Sequence, residues 1–264
     1  MAVVKEQVLG GGWWRAAGLL LVLVSFGGQF AQAGISETVF SLQASNDSGA
    51  ASFAASFGEG TWDPGAQAYT WSLGSPVELL DDGALVATLE SADLSISLLP
   101  TPQIGLGFGV ISGSSDTEFL VNSALVDFNT IPAELAAGRF VAGCTVYDSG
   151  EADGMWLYEP SLTGLGAFQS YYNIGDGSDP SLFSHLLAIV GSFGGGTASG
   201  SQSYPGSGFA PIDADVSDMR VDANFILTQN DRATTSTTFV LVPEPAGLAL
   251  LALGGALMRG RPRG

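Results

Sequence analysis

Residues 219–227 have the sequence MRVDANFIL, in which apolar side chains recur at every second position from Val221 to Leu227. A period of two places successive side chains on opposite faces of a β-strand. Residues 103–111, QIGLGFGVI, show the same alternation with glycines between the apolar residues. Both segments therefore predict strands that turn one face to a core and the other to solvent.

Further short segments of this kind fill the chain between Gly34 and Val242. They are rich in Val, Ile, Phe, Tyr, Trp and Thr, and turn-forming residues separate them; examples are TVFSLQ, AYTWSL, GALVATLE, DLSISLL, RFVAGCTVYD and STTFVLV. Regularly spaced short strands with hardly any helical periodicity predict an all-β fold, an antiparallel β-sandwich of jelly-roll type.

Two segments interrupt the strand pattern. Residues 130–138, TIPAELAAG, are predicted to form a helical connector, with Thr130 as its cap and Gly138 as its stop. Residues 191–208, GSFGGGTASGSQSYPGSG, are predicted to form a flexible surface loop, and a linker between two domains is the alternative. Too few residues follow this segment for a second domain, so residues 34–242 are predicted to form one domain.

The net charge argues against nucleic acid as a partner. The whole chain carries a formal net charge of −18 at pH 7. Between Gly34 and Val242, 24 Asp and Glu residues stand against three Arg residues, a net charge of −21. A surface of that sign repels phosphate backbones, so nucleic-acid binding is not expected. Cations and neutral partners such as polysaccharides are compatible with this charge.

The chain has one cysteine, Cys144, and one histidine, His185. A single cysteine allows no intramolecular disulfide and no Cys-rich zinc site. Cys144 lies in an apolar run, which favours a buried, unreactive thiol over a nucleophile. The sequence has no G-x-S-x-G motif, and apolar residues flank His185, which favours a hydrogen-bonded histidine over a catalytic one.

The first 33 residues have the layout of a secretory signal peptide. Two basic residues precede the apolar stretch 16–26, and small residues follow at Ala31 and Ala33. The signal peptide is expected to direct export, and cleavage before Gly34 is expected to release the mature protein. The alternative is an uncleaved N-terminal anchor, but the apolar stretch reaches only about 16 Å as a helix, against roughly 30 Å for the hydrocarbon core of a membrane.

The chain ends in VPEPAGLALLALGGALMRGRPRG, residues 242–264. Two prolines separate the preceding strand from the apolar stretch 246–258, which is about 20 Å long as a helix and short for a permanent span. A basic cluster follows and is expected to stay on the cytoplasmic side. Its members are Arg259, Arg261 and Arg263. On length alone this stretch could be a core helix, but the prolines before it and the arginines after it favour a short hydrophobic helix at the membrane.

The last 22 residues resemble the PEP-CTERM sorting signal of exopolysaccharide-producing Gram-negative bacteria. The resemblance depends on the Pro-Glu-Pro motif, the apolar stretch and the terminal arginines, in combination with a signal peptide. It implies recognition by an exosortase, a membrane protease-transpeptidase that cuts near the motif and releases or transfers the protein at the cell surface. The resemblance makes Pro243, Glu244 and Pro245 the recognised residues, and the terminal arginines the stop.

Residues 68–173 also resemble the body of planctomycete-type PEP-CTERM proteins. They contain a strand that ends in a small loop, Ser115-Asp116-Thr117, and continues into further strands and an acidic hairpin. This resemblance implies a β-sandwich and no known activity.

Three acidic turns, at 148–154, 175–180 and 213–218, offer the carboxylate oxygens that calcium prefers. None has the EF-hand spacing, and Asp and Gly are also typical of tight turns, so plain hairpin turns are the alternative. No other cofactor is expected. The first candidate calcium ligands are Asp148, Glu151 and Asp153.

Two other kinds of site stay open at this point. Aromatic rings can stack on sugars, although rings in strands more often pack in a core. Paired carboxylates for glycoside hydrolysis meet only in the fold, so the sequence does not identify them. The candidate stacking residues are Trp62, Trp71, Trp156, Tyr158, Tyr171 and Tyr172.

Together these features predict an exported β-sandwich protein of the cell surface or extracellular matrix, sorted through transient insertion into the inner membrane and without catalytic activity. Its expected partners are an exosortase and the secretion machinery, with exopolysaccharide as a further candidate. The alternative is a calcium- or carbohydrate-binding lectin-like module, and a secreted glycoside hydrolase is less favoured.

Overall fold

The computed structural model describes residues 34–148, 154–160, 166–175, 180–193 and 196–243. Strands dominate these ranges, and the only helical element in them is one turn of 3-10 helix, Phe57–Glu59. The predicted all-β class is therefore confirmed. The strands are β1 (Thr38–Asn46), β2 (Gly49–Ser56), β3 (Thr61–Asp63), β4 (Ala68–Ser72), β5 (Val77–Asp81), β6 (Ala84–Ser97), β7 (Gln103–Ser112), β8 (Thr117–Ser123), β9 (Val126–Ile131), β10 (Ala136–Tyr147), β11 (Met155–Tyr158), β12 (Phe168–Tyr172), β13 (Ser181–Leu186), β14 (Ile189–Ser192), β15 (Thr197–Tyr204), β16 (Ala210–Pro211), β17 (Val216–Leu227) and β18 (Arg232–Pro243).

The first sheet, sheet A, has the strand order β13, β12, β17, β8, β1, β2. Strands β9 and β11 also pair with β17, and β14 pairs with β11. The strand that contains the MRVDANFIL stretch, β17, thus has paired neighbours on both sides. Its alternating residues from Val221 to Leu227 are fully buried, as the period of two predicts.

The second sheet, sheet B, has the order β15, β10, β18, β7, β6, β4, β3, with β16 on β10 and β5 on β6. All pairings in both sheets are antiparallel. The last strand, β18, lies between β10 and β7 and pairs with β10 along its whole length, from Arg232 opposite Tyr147 to Pro243 opposite Ala136. The chain therefore finishes its described part in the interior of a sheet.

Aromatic rings from the two sheets meet in a shared core. Phe225 of sheet A stacks on Phe108 of sheet B with the ring centroids 6.1 Å apart. Phe40 of sheet A likewise stacks on Trp71 of sheet B, with the centroids 5.3 Å apart. Burying an aromatic side chain of this kind stabilises a fold by roughly 1.5–3 kcal/mol. Two antiparallel sheets with facing apolar sides fit the predicted β-sandwich.

The predicted helical connector at residues 130–138 is wrong. Strand β9 continues to Ile131, a single turn follows in which the Leu135 amide donates to the Pro132 carbonyl at 2.8 Å, and β10 begins at Ala136. Gly138, predicted to stop a helix, lies inside β10, and a Cβ there would come within 2.8 Å of the Phe183 ring. The glycine thus makes room for a ring from another strand.

The prediction of a loop at residues 191–208 is also wrong in part. Residues 197–204 form β15, which pairs with β10 in a continuous register that sets Gly200 opposite Cys144. Gly and Ser are poor strand formers by themselves, but strand preference depends strongly on the neighbouring strand. Here the exposed edge of β10 supplies hydrogen-bonding groups that the small residues can reach.

The two predicted processing points lie at the ends of the described fold. The Gly34 carbonyl accepts a hydrogen bond from the Asp127 amide at 2.7 Å, and β18 ends at Pro243. The signal peptide with Ala31 and Ala33, and the tail from Glu244 onward, lie outside the described residues. Within the described ranges, no helix has the length and hydropathy needed to cross a membrane.

Candidate functional site

The predicted calcium ligands give no described metal site. Asp148 directly follows β10, whereas Glu151 and Asp153 lie outside the described residues. Among the residues that the structure describes, no three His, Cys, Asp or Glu side chains come together in a group that suits a metal ion.

The acidic turn at 213–218 instead contributes to a carboxylate pair. Asp218 of β17 lies opposite Asp127 of β9 in the strand register. Its two carboxylate oxygens accept the amide hydrogens of Ile174 at 2.7 Å and Gly175 at 3.2 Å. Partial burial and the charge of Asp218 raise the pKa of Asp127. Asp218 is only 3% exposed, so this carboxylate orders a turn of its own chain and offers little surface to a substrate.

The chain's one histidine and one cysteine have different environments, since His185 is exposed and Cys144 is buried. His185 accepts the Gly166 amide hydrogen at Nδ1, at 3.0 Å. Cys144 is a free, buried thiol, and burial raises its pKa to about 12. A thiol with that pKa is almost entirely protonated at neutral pH and therefore a poor nucleophile. The predicted burial of Cys144 is confirmed, and its lack of reactivity stays a prediction.

Arg220 packs over the ring of Tyr171, one of the predicted sugar-stacking residues, on the outer face of sheet A. Its Nη2 donates to Asp222 Oδ2 at 2.7 Å, and its guanidinium carbon lies 5.9 Å from the centroid of the Tyr171 ring. Asp222 is 6% exposed, and burial raises its pKa while the guanidinium opposes that rise. A guanidinium over an aromatic face makes a cation–π contact. Tyr171 is thus engaged within the protein.

The six aromatic residues predicted as a sugar-stacking surface do not form one surface. Trp71 is 5% exposed and belongs to the core. Trp156 makes an edge contact with Phe193, with the centroids 4.7 Å apart, and lies in sheet A, whereas Trp62 lies in sheet B. The rings are therefore distributed over both sheets, and only Tyr172 borders the cavity described next.

A cavity of about 260 Å³ opens between the edges of the two sheets, and we call it the edge pocket. Strands β12 and β13 of sheet A contribute one wall, and the end of β15 with the segment from β16 contributes the other. Two tyrosines, a phenylalanine, three aliphatic residues and one carboxylate line it. These residues are Tyr172, Leu182, Phe183, Tyr204, Pro211, Ile212 and Asp213.

The back of the edge pocket is a fixed stack of rings. Phe183 stacks on the buried Phe239 with the centroids 5.2 Å apart, and Tyr204 makes an edge contact with Phe183 at 5.5 Å, with 68° between the ring planes. Gly138 admits the Phe183 ring, because a side chain there would collide with it. Tyr204 remains 46% exposed, so a large ring is held in position with much of its surface open to solvent.

Two other cavities are wider and lack aromatic residues. One, of about 420 Å³, lies on β1, β2 and β8 over small and polar residues with Glu118 and Leu120. The other, of about 470 Å³, lies on β10, β15 and β18 over Ser, Thr, Gly and Cys144. Both are surfaces of single sheets, whereas the edge pocket has walls from two.

Sequence reasoning did not find the edge pocket. Tyr204 is one of two aromatic residues, with Phe193, in the Gly/Ser-rich segment that is predicted to be a loop, and Phe183 comes from a different strand. The available signal is the pair of aromatic residues in an otherwise small and polar run, and it does not distinguish Tyr204 from Phe193. No family model, curated protein or solved structure matches this chain.

Proposed function

We propose that this chain is an exported β-sandwich protein of the cell surface or extracellular matrix, sorted by an exosortase at Pro243-Glu244-Pro245 and without catalytic activity. The observation that supports it best is the position of the motif. Strand β18 is an interior strand of sheet B and ends at Pro243, the first residue of the motif. Cleavage after that residue leaves every described strand complete.

The start of the described fold supports export in the same way. Gly34, the first residue after the predicted signal-peptide cleavage, is already bonded to the fold through its carbonyl and the Asp127 amide. Removal of the leader before this residue keeps that contact.

Two finer features belong to the proposal: a jelly-roll-like arrangement of the sheets, and a short hydrophobic helix at 246–258 that holds the chain briefly in the inner membrane.

The absence of catalysis is proposed from how the reactive groups are occupied. Asp218 accepts two backbone amide hydrogens, His185 accepts another, and Cys144 is buried with a raised pKa. A retaining or inverting glycosidase needs two carboxyl groups that both face the substrate across a cleft. The Asp127 and Asp218 pair does not meet that requirement, because Asp218 is buried.

The test uses the native host and the tail motif. Glu244→Ala should cause a longer, membrane-associated form to accumulate, because the apolar stretch and the arginines still delay release. Truncation after Pro243 keeps β18 whole and should send a soluble body past the membrane. Glu134→Ala, an exposed change in the turn before β10, is the matched control.

Blots of membrane, surface and medium fractions, together with mass spectrometry of the C-terminus, distinguish these forms. Mature wild-type protein that still ends in Arg263-Gly264 would contradict the proposal, because its tail would then be an ordinary weak anchor.

The alternative function is a calcium- or carbohydrate-binding module. The edge pocket favours the carbohydrate version, since it combines an exposed ring with a carboxylate. The calcium version is tested by calorimetry of the full chain at constant ionic strength. A heat of binding with calcium and none with magnesium would support it. No heat of binding with either ion would mean that the acidic segments are plain turns.

A further inference from the structure

The edge pocket has the two kinds of surface that sugar recognition uses. Tyr204 is 46% exposed and packs against Phe183 in an edge contact with the ring centroids 5.5 Å apart. Asp213 lines the same cavity with an exposed carboxylate. The carbon-bound hydrogens of a sugar ring pack on an aromatic face, and its hydroxyl groups donate hydrogen bonds to carboxylate oxygens.

The rigidity of the ring stack matters for affinity. Binding is weakened when a side chain has to be ordered for the ligand. Phe183 is already held between Phe239 and Tyr204, with centroid distances of 5.2 and 5.5 Å. The Tyr204 ring therefore loses little freedom when a ligand packs on it.

Charge and size narrow the ligand class. The region from Gly34 to Val242 has a net charge of −21, and Asp213, one of its acidic residues, lies at the pocket itself, so anionic ligands are repelled. A cavity of about 260 Å³ is smaller than the roughly 300–1,000 Å³ of sites that enclose a drug-sized ligand. It suits one sugar ring, with the remainder of a polymer outside.

An organic cation is the competing class, because aromatic rings and a carboxylate also bind ammonium groups. Such sites surround the charge with several ring faces. In the edge pocket Phe183 already stacks on Phe239, so it does not offer both faces to a ligand. The arrangement is a platform with a carboxylate beside it.

We propose that the edge pocket binds one residue of a neutral polysaccharide, with Tyr204 as the stacking platform and Asp213 as the hydrogen-bond acceptor. This inference rests on the proposed function in one respect: a protein at the cell surface or in the matrix would encounter the polysaccharide there. Binding is measured on the purified chain, so it can fail or succeed independently of the processing of the tail.

The experiment is affinity electrophoresis of the full chain in native gels that contain neutral glucose, mannose, galactose or xylose polymers. A polyoxyethylene detergent keeps the tail soluble and carries no sugar. A gel with polygalacturonate supplies an anionic comparison, and choline chloride in a parallel gel tests the cation class. We expect retardation by at least one neutral polymer, and none by polygalacturonate.

The variants assign that retardation to the pocket. Tyr204→Ala should weaken it about tenfold, which corresponds to about 1.4 kcal/mol. Tyr204→Phe should keep most of it, because the ring face remains, and Asp213→Asn should weaken it. Phe193→Ala is the matched control, since Phe193 is an exposed aromatic residue, 84% accessible, outside the lining of the pocket.

The proposal would be overturned if none of the neutral polymers retarded the protein, or if wild type and Tyr204→Ala were retarded equally. It would also be overturned if choline chloride abolished the retardation by the neutral polymer. A melting curve of each variant separates loss of binding from loss of folding. If Tyr204→Ala does not fold, the retardation of Asp213→Asn tests the proposal instead, because Asp213 is exposed and its substitution should not disturb folding.

Discussion

Asp127 and Asp218 lie opposite each other on the neighbouring strands β9 and β17, and only one of them is stabilised by the backbone. Asp218 accepts two amide hydrogens, from Ile174 and Gly175. Asp127 faces this charge, and its pKa is raised from the ordinary value of 3.8 by partial burial and by Asp218. Asp218 therefore stabilises the turn through hydrogen bonds, whereas the charge of Asp127 lowers the stability of the folded protein.

Asp127→Asn should stabilise the protein at neutral pH. Because folding raises the pKa of Asp127, its contribution to stability is complete below pH 3.8 and is lost as the pH rises through the folded-state pKa. The group is largely exposed, so solvent screening limits the gain to about 0.5 kcal/mol, or roughly 1–2 °C in Tm. Thermal melts at pH 7 and pH 3 measure it.

The gain should vanish at pH 3, where Asp127 is protonated in both states. Asp47→Asn, at an exposed turn residue, is the control and should leave Tm unchanged. An Asp127→Asn protein that melts lower than wild type at pH 7 would refute the stated repulsion.

Asp218→Ala should destabilise the protein by roughly 1–3 kcal/mol. The substitution leaves the amides of Ile174 and Gly175 without their acceptor, and a lost hydrogen bond to a charged group costs about that much. Asp218→Asn keeps one acceptor oxygen and should lose less. Urea unfolding of the three proteins measures the difference, and equal stability of all three would show that the turn does not need the carboxylate.

Gly138→Ala should destabilise the protein by about 1–3 kcal/mol, because the added methyl group lies within 2.8 Å of a Phe183 ring that is already packed on Phe239. Gly74→Ala meets no atom within 4 Å and is the matched control. Chemical denaturation compares the two. A Gly138→Ala protein as stable as Gly74→Ala would contradict the close packing of the Phe183 ring against residue 138.

Phe225→Ala should cost about 3–5 kcal/mol, because it removes a fully buried ring that stacks on Phe108 across the two sheets and on Phe119 within its own. Phe193→Ala removes an equally large ring at an exposed position and should cost at most about 1.5 kcal/mol, the value of its ring contact with Trp156. The free energies of unfolding in guanidinium chloride check this. Similar losses for both would contradict a shared core centred on Phe225.

Cys144 should not react with a thiol reagent at pH 8 while the protein is folded. Its thiol is 4% exposed and its pKa is raised to about 12 by burial, so both access and the thiolate fraction are low. Labelling should appear only as denaturant unfolds the chain. Reductant should also leave Tm unchanged. Rapid labelling of native protein, or a large fall in Tm with reductant, would indicate an exposed or bridged cysteine.

The sequence alone predicted the class of the fold because burial in a strand repeats every two residues. The alternation from Val221 to Leu227 therefore identified which side of β17 is buried before any partner was known. The same local logic identified Cys144 as buried, since it stands in an apolar run. Signal-peptide and tail patterns are also local, and they remain predictions about segments outside the described residues.

Only the tertiary structure decided which strands meet, and this is where the local patterns were wrong or silent. Residues 197–204 form a strand because β10 offers an edge, and Gly138 is needed because Phe183 arrives from sheet A. The edge pocket joins Tyr172 to Tyr204 and Asp213 across two sheets. Such contacts depend on register between distant residues, and the sequence pattern that fixes a buried face carries no information about the strand on the other side.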